Sequence, residues 1–181
     1  MRAGADNTRL LLMGSGPRSN NMHGGLGGRV LETGDLVRIE MVPHYRYYAA
    51  REIRMAIIGE PSAEVASLAR RLRELQDEQF AAMRPGARAA DVDRVLRAPV
   101  LREKLRDDYT TITGYTLGLC AIPRTSDFTR VFLPESEWVL EEGMVFHMYA
   151  YAQGLWVSDT IHVAAHGAER LTRLPRDLAV R

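Results

Sequence analysis

Hydrophobic and polar positions change rhythm along this chain, and the changes mark its elements. An apolar run over residues 9–13 ends at Gly14-Ser15-Gly16-Pro17 and reads as a strand. The stretch from Arg18 to Gly28 is polar and glycine-rich, and Leu31-Glu32-Thr33-Gly34-Asp35 is a turn signal. Residues 36–42 alternate, with Val37, Ile39 and Met41 on one face and Arg38 and Glu40 on the other. A period of two is that of a half-buried strand. Pro43-His44 is expected to break it. Residues 45–58 form a second strand-like run ended by Gly59, and the two runs predict a long hairpin.

The period then lengthens. Pro61-Ser62-Ala63-Glu64 is a helix start, and Val65, Leu68, Leu72 and Leu75 follow at helical spacing to about Met83. Arg84-Pro85-Gly86 ends that helix. Residues 91–105 support a second one, with Val92, Val95, Leu96 and Leu101 inward and Pro99 expected to kink it. Strand patterns return over residues 110–119, 144–151 and 155–163, with mostly loop over 125–142 and a turn at Glu141-Glu142-Gly143. Strand, hairpin, two helices and further strands predict an α+β fold within a single domain spanning 1–181.

Composition narrows the function classes. The 24 basic and 23 acidic residues of the 181 nearly cancel, which argues against a nucleic-acid binder that would need a basic surplus. One cysteine, Cys120, excludes an internal disulfide framework and a cysteine-based zinc site; between Leu119 and Ala121 it reads as a small core residue. The glycine clusters near residues 14 and 24 lack the lysine of a phosphate loop and read as turns. The apolar run near the start is too short for a signal peptide or membrane span. The expectation is a soluble, cytoplasmic protein.

Seven segments, in order, carry a resemblance: Gly16 to His23; Leu31 to Val37; Tyr47-Tyr48-Ala49-Ala50-Arg51-Glu52-Ile53-Arg54; Arg84-Pro85-Gly86; Gly114-Tyr115-Thr116-Leu117-Gly118-Leu119; Leu140 to His147; and Ser158-Asp159-Thr160 through Gly167 to Thr172. Together they resemble the pita-bread family of methionine aminopeptidase, aminopeptidase P and creatinase, and the aminopeptidase P and creatinase branch most. Peptidases of that family bind two divalent metals with two aspartates, a histidine and two glutamates. Carried over one by one, those positions fall on Glu40, Arg51, Tyr115, Tyr149 and Ser158. Divalent cations need anionic oxygens, and a guanidinium repels them. The resemblance therefore implies the fold without its metal pair, and no cofactor is expected.

Creatinase, as a member of that family, hydrolyses a C–N bond without metal, with a histidine as general acid/base; the matching position here is His23. Histidine suits the role because it titrates near working pH. The alternative is a loop histidine in a turn. Strand parity puts Glu52 and Arg54 opposite Arg51 and Ile53, facing the helices or paired with each other. The same parity groups His147 with Tyr149, and Ser158 with His162 and Trp156. If Tyr149 and Ser158 line the former metal pocket, His147 and His162 share its surface. Arg51 is then a candidate clamp for a carboxylated or zwitterionic ligand, with Tyr115 and Tyr149 as hydrogen-bond donors. Glu40 could orient a histidine or pair with Arg51, and a simple Glu40–Arg51 salt bridge filling a dead site is the rival reading. Arg124 follows the segment that approaches substrate in the family and is a further substrate-binding candidate.

The family domain has two halves, each with helices on a hairpin. Here the first half has strands but no preceding helices, so a partial domain, a fragment, or a partner-covered face is expected, and homodimers are usual in this branch. The resulting expectation is a metal-independent, creatinase-like hydrolase or lyase acting on a C–N bond of a small amino-acid-like substrate. A catalytically inactive relative serving as a peptide- or protein-binding module is the alternative.

Overall fold

A computed structural model of the chain describes residues 4–24, 27–119 and 129–181. Its strands are β1 (Asn7–Ser15), β2 (Leu36–Tyr45), β3 (Tyr48–Ala49), β4 (Glu52–Ile57), β5 (Gly114–Thr116), β6 (Val145–Ala152), β7 (Leu155–Ala164), β8 (Gly167–Arg170) and β9 (Ala179–Val180). The helices are α1 (Ala63–Ala82) and α2 (Ala89–Arg102), with a short 3-10 turn over Gly16–Asn20. The strands form one sheet in the order β1-β2-β4-β7-β6-β5, and the pairs along this path are antiparallel. Two helices segregated against such a sheet make an α+β architecture.

The sequence rhythm maps onto this sheet with instructive exceptions. Pro43 does not break β2. The strand runs through it to Tyr45, because the pairing with β1 shifts register between Thr8 and Leu10, opposite Pro43. A bulge is where a sheet tolerates a residue with no N–H to donate. The expected strand over 45–58 is instead divided. Arg46 and Tyr47, both at positive φ, turn the chain back, and Ala50-Arg51 separates β3 from β4. The β6–β7 hairpin turns on Gln153-Gly154, both at positive φ, the backbone of the tight turn that matches strand twist.

Ser62 caps α1, accepting from the Val65 amide at 3.3 Å. Leu72 and Leu75 are buried, and Val65 and Leu68 pack at the margin. In α2 the buried stripe is Ala89, Val92, Leu96, Pro99 and Val100, while Leu101 is exposed; the helix turn carries it out of phase. Pro99 is accommodated without ending the helix, since in the last turn it forfeits only one backbone bond. The expected strand over 110–119 is shorter, Gly114–Thr116.

Even-numbered residues of β6 and odd-numbered residues of β7 face the helices. Phe146, Met148, Ile161 and Val163 pack with Val92 and Met83, and the Gln76 side chain of α1 donates to the Met148 and Val157 carbonyls. The opposite face is left for His147, Tyr149, Trp156 and Ser158. Across β1 and β2, Leu11 pairs with Met41 and Met13 with Ile39, and all four stay at least partly exposed. No helix among the described residues is long and apolar enough to cross a membrane.

Candidate active site

Register builds the site. Glu40 of β2 lies opposite Ile53 of β4, Ile53 opposite Ser158 of β7, and Ser158 opposite Tyr149 of β6, so four strands set one row of side chains on the face away from the helices. A second row runs from Thr160 to His147 to Tyr115. Arg51, just before β4, joins its end. The Arg51 amide donates to Thr160 Oγ1, which in turn donates to the Arg51 carbonyl, both at 2.8 Å.

The two rows are tied by one continuous network. Arg51 Nε donates to Glu40 Oε1 at 2.6 Å, and its Nη2 pairs with the same oxygen. Arg51 Nη1 donates to the Tyr115 hydroxyl. His147 meets Tyr115 through Nδ1 at 2.9 Å and Ser158 Oγ through Nε2 at 2.7 Å. A guanidinium has no lone pair, so the Tyr115 oxygen accepts from Arg51 and its own proton is available for His147 Nδ1. With Tyr115 on one ring nitrogen and Ser158 on the other, His147 is a link that orients its neighbours whichever nitrogen carries its proton.

Burial sets the protonation states. His147 is fully enclosed, and desolvation first, then the nearby Arg51 charge, holds its pKa far below that of a free imidazole. It is neutral. Desolvation likewise pushes the Tyr115 and Tyr149 phenols up, so both keep their protons.

Above the network is a cavity of about 630 Å³. His23, Arg51, Tyr115, His147, Tyr149 and Glu40 all contribute to its wall. Leu12, Met22, Ile53, Ile112 and Trp156 make much of the rest apolar. His23 is held at the rim by its own amide, which donates to Asn21 Oδ1 at 3.1 Å. Two anchors below it fix the chain: Trp156 Nε1 donates to the Ser19 carbonyl at 3.0 Å, and Arg38 Nη1 to the Met22 carbonyl at 2.7 Å.

Three expectations about site residues change. Ser158 is on the right face but fully buried behind His147, outside the cavity wall. His162, at the far end of β7, pairs with Glu169 of β8 at 3.1 Å and lies away from the cavity; parity fixes a face but not a position along it. Arg51 is not a free anion clamp, because Glu40 neutralises it and Tyr115 takes another of its donors. Arg124 and Cys120 lie outside the described residues. Glu52 and Arg54 pair at 3.1 Å on the helix side, with Arg54 also bound to Asp159 at 2.7 Å.

Sequence reasoning passed over Arg38. It shares the face of Glu40, is fully buried, and stands in the cavity wall over the Trp156 ring at 5.1 Å. The alternation of residues 36–42 placed it on that face, but nothing in the pattern distinguished a satisfied arginine from an unsatisfied one.

This sheet, with its helices on one face and its buried polar network on the other, matches known proteins. The profile of metallopeptidase family M24 covers residues 3–165, and the chain belongs to that family. It is 29% identical over 183 aligned positions to a probable dipeptidase PepE of Mycobacterium tuberculosis, covering 98% of this chain and 48% of that protein. It is 30% identical over 149 positions to ectoine hydrolase of Halomonas elongata, covering 78% of this chain and 36% of that protein. The crystal structure of an X-Pro aminopeptidase from Thermotoga maritima superposes with a TM-score of 0.88 at 25% identity, over 99% of this chain and 51% of the other. The fold is thus the pita-bread fold, and the chain spans about half the length of the curated relatives it matches, or less.

The donors present do not fit the family's pair of divalent cations. Among the described residues Glu40 is the one carboxylate in the cavity wall, and its Oε1 is occupied by Arg51. The fixed positive charge of Arg51 lies among the former ligand positions, and both nitrogens of His147 are engaged. Among the described residues, no group of three or more His, Cys, Asp or Glu is disposed to hold a metal ion.

Proposed function

We propose that this chain provides the site of a metal-independent hydrolase that cleaves a C–N bond in a small, carboxylated, amino-acid-like substrate. The observation that carries this reading is the open cavity itself: His23, Arg51 and Tyr149 face one space of about 630 Å³, where a dead site would have been filled by side chains. Membership of a peptidase family and the likeness to an ectoine hydrolase support hydrolysis as the reaction class.

In this reading His23 is the general acid/base. It takes a proton from water as the new C–O bond forms and returns one to nitrogen as the C–N bond breaks. Its ring has no hydrogen-bond partner among the described residues, so it is free to turn toward substrate. Tyr149, protonated and with its hydroxyl unpartnered among the described residues, donates to the developing oxyanion. Arg51, locked and neutralised by Glu40, donates to Tyr115 and holds it in place. The second reading, an inactive binding module, is favoured by the Glu40–Arg51–Tyr115–His147–Ser158 network, which ties four of the five former ligand positions to one another.

The test is release of free amino acid from a panel of N-acyl amino acids and dipeptides, including Xaa-Pro, in buffer with chelator and again with manganese. The expected result is turnover of N-acyl substrates that is indifferent to chelator and falls about 100-fold or more in His23→Ala. Turnover that requires manganese would sink the reading, as would full activity in the variant. No turnover on any substrate would leave the binding module in its place.

A further inference from the structure

Among the described residues, the cavity wall holds two guanidiniums, Arg38 and Arg51, against one carboxylate, Glu40. Glu40 belongs to Arg51, which it contacts through two nitrogens. Its nearest approach to Arg38 is 3.8 Å, too long for a hydrogen bond. Arg38 therefore has a counter-charge nearby but not one it can call its own. Its side chain is fully buried, a state arginine rarely occupies unless paired.

The hydrogen bonding of Arg38 is incomplete in a particular way. Nη1 is spent on the Met22 carbonyl. Nε and Nη2 are buried and have no partner. Those two nitrogens lie on the same side of the guanidinium and present parallel N–H groups, the fork that a carboxylate fills with two bonds. The group rests over the Trp156 ring, 5.1 Å from its centre. What remains without a partner is the edge shaped for an anion, enclosed at the cavity wall. Burial, with Arg51 adding to it against the pull of Glu40, disfavours the bare charge.

Taking the hydrolase reading as its base, we propose that Arg38 anchors the substrate's carboxylate through the Nε–Nη2 edge, and that the substrate's remaining body is apolar. The surroundings argue for the second half: Trp156, Ile53, Ile112, Met22 and Leu12 line the same cavity as Arg38 and make much of its wall apolar. A ligand with one carboxylate completes the charge balance of the wall, and a second carboxylate would meet Glu40. Arg38 also holds Met22 beside His23, so the carboxylate anchor and the acid/base are placed by one side chain.

The test uses ligands with no C–N bond, so that binding is read apart from hydrolysis. Hydrocinnamate and isocaproate, each beside its alcohol, are titrated calorimetrically into the full chain. Each acid is expected to bind about tenfold or more tighter than its alcohol. Arg38→Met, which keeps an apolar side chain of similar reach, should abolish that gap, and Arg38→Lys, a charge without the fork, should keep only part of it. His23→Ala should leave the gap intact. Equal affinity for acid and alcohol in the parent protein overturns the proposal, as does failure of both acids to bind, or a gap that survives in Arg38→Met while that variant unfolds cooperatively. A gap that vanishes in Arg38→Met sustains the anchor even where no substrate is turned over, in which case the hydrolase reading falls alone.

Discussion

Two groups of buried charge sit on opposite faces of β4 and β7, and they are satisfied differently. On the helix side, Arg54 donates to Asp159 at 2.7 Å, to the Ser158 carbonyl at 2.6 Å and to the Leu174 carbonyl at 3.0 Å, and pairs with Glu52. Thr172 donates to the same Asp159 oxygen, while Arg170 and Arg176 approach its other oxygen at 3.9 and 3.8 Å. Arg176 reaches on to Gln76 and Asp77 of α1. Charges balance there, and the partners come from the C-terminal segment and α1, so the cluster fastens the chain end to the sheet. On the other face, Arg51 and Glu40 are matched, but Arg38 is left over beside a cavity. The same residue types thus serve as a clasp where every charge has an opposite, and as a receptor where one does not. The difference teaches that charge surplus beside open space, more than burial of charge as such, marks the functional face.

The largest expected effect falls on the clasp. Arg54→Met removes the nearest arginine from Asp159 and the partner of Glu52, while Asp159→Ala leaves Arg54 with Glu52 and two carbonyls; the first should destabilise the fold by about 3–5 kcal/mol and the second by less, read as a lower midpoint in urea denaturation. A loss under about 1 kcal/mol in Arg54→Met would mean that the two faces do not differ as described. A comparable cost is expected where Asp93 and Arg97 of α2 bind at 2.6 and 2.8 Å and hold the Thr111 carbonyl and Thr113, because this pair fixes the segment that supplies Ile112 to the cavity. Next comes Tyr115→Phe on the open face. It removes the acceptor of Arg51 Nη1 and the partner of His147 Nδ1, for about 1–3 kcal/mol.

Much of this arrangement was legible before any coordinates. Alternation assigned Arg38 and Glu40 to one face of β2, and Arg51 and Ile53 to the opposite face from Arg54 of β4; the structure keeps both groupings. The seven ordered segments pointed to the family. What the chain could not reveal was anything that depends on distance along a face or on competition for partners. His162 obeys parity yet lies beyond the cavity. Arg51 and Arg38 are equivalent as letters, and only the 2.6 Å bond to Glu40 against a 3.8 Å separation tells them apart. Pro43 reads locally as a strand breaker, and the bulge that admits it belongs to a partner strand some 35 residues away.

A smaller effect separates the faces by pH. His147 refuses a proton in the folded state that the unfolded chain accepts below about pH 6.5. The unfolded state then binds more protons, so stability falls as pH drops below that point, by up to about 1.4 kcal/mol per pH unit from this group. Denaturation midpoints between pH 5 and 7 should show that slope, and His147→Gln should flatten it. An unchanged slope would place the acid sensitivity elsewhere.

The smallest effect is the most discriminating, because its sign is the point. In the clasp, removing Arg54 takes the partner from Glu52 and the nearest arginine from Asp159. Arg38→Met strands no carboxylate: Glu40 keeps Arg51, and the variant gives up one bond to the Met22 carbonyl and the contact with Trp156. Those losses of about 1–2 kcal/mol stand against relief of a buried charge whose desolvation is only partly compensated. Arg38→Met should therefore unfold within about 1 kcal/mol of the parent protein, on either side. Adding hydrocinnamate should then reopen a difference, since a ligand stabilises only the protein that binds it. A parent protein raised by the acid, and a variant indifferent to it, would assign the surplus charge of the open face to ligand. A variant that loses as much stability as Arg54→Met would instead make Arg38 a second clasp, and the two faces would be alike.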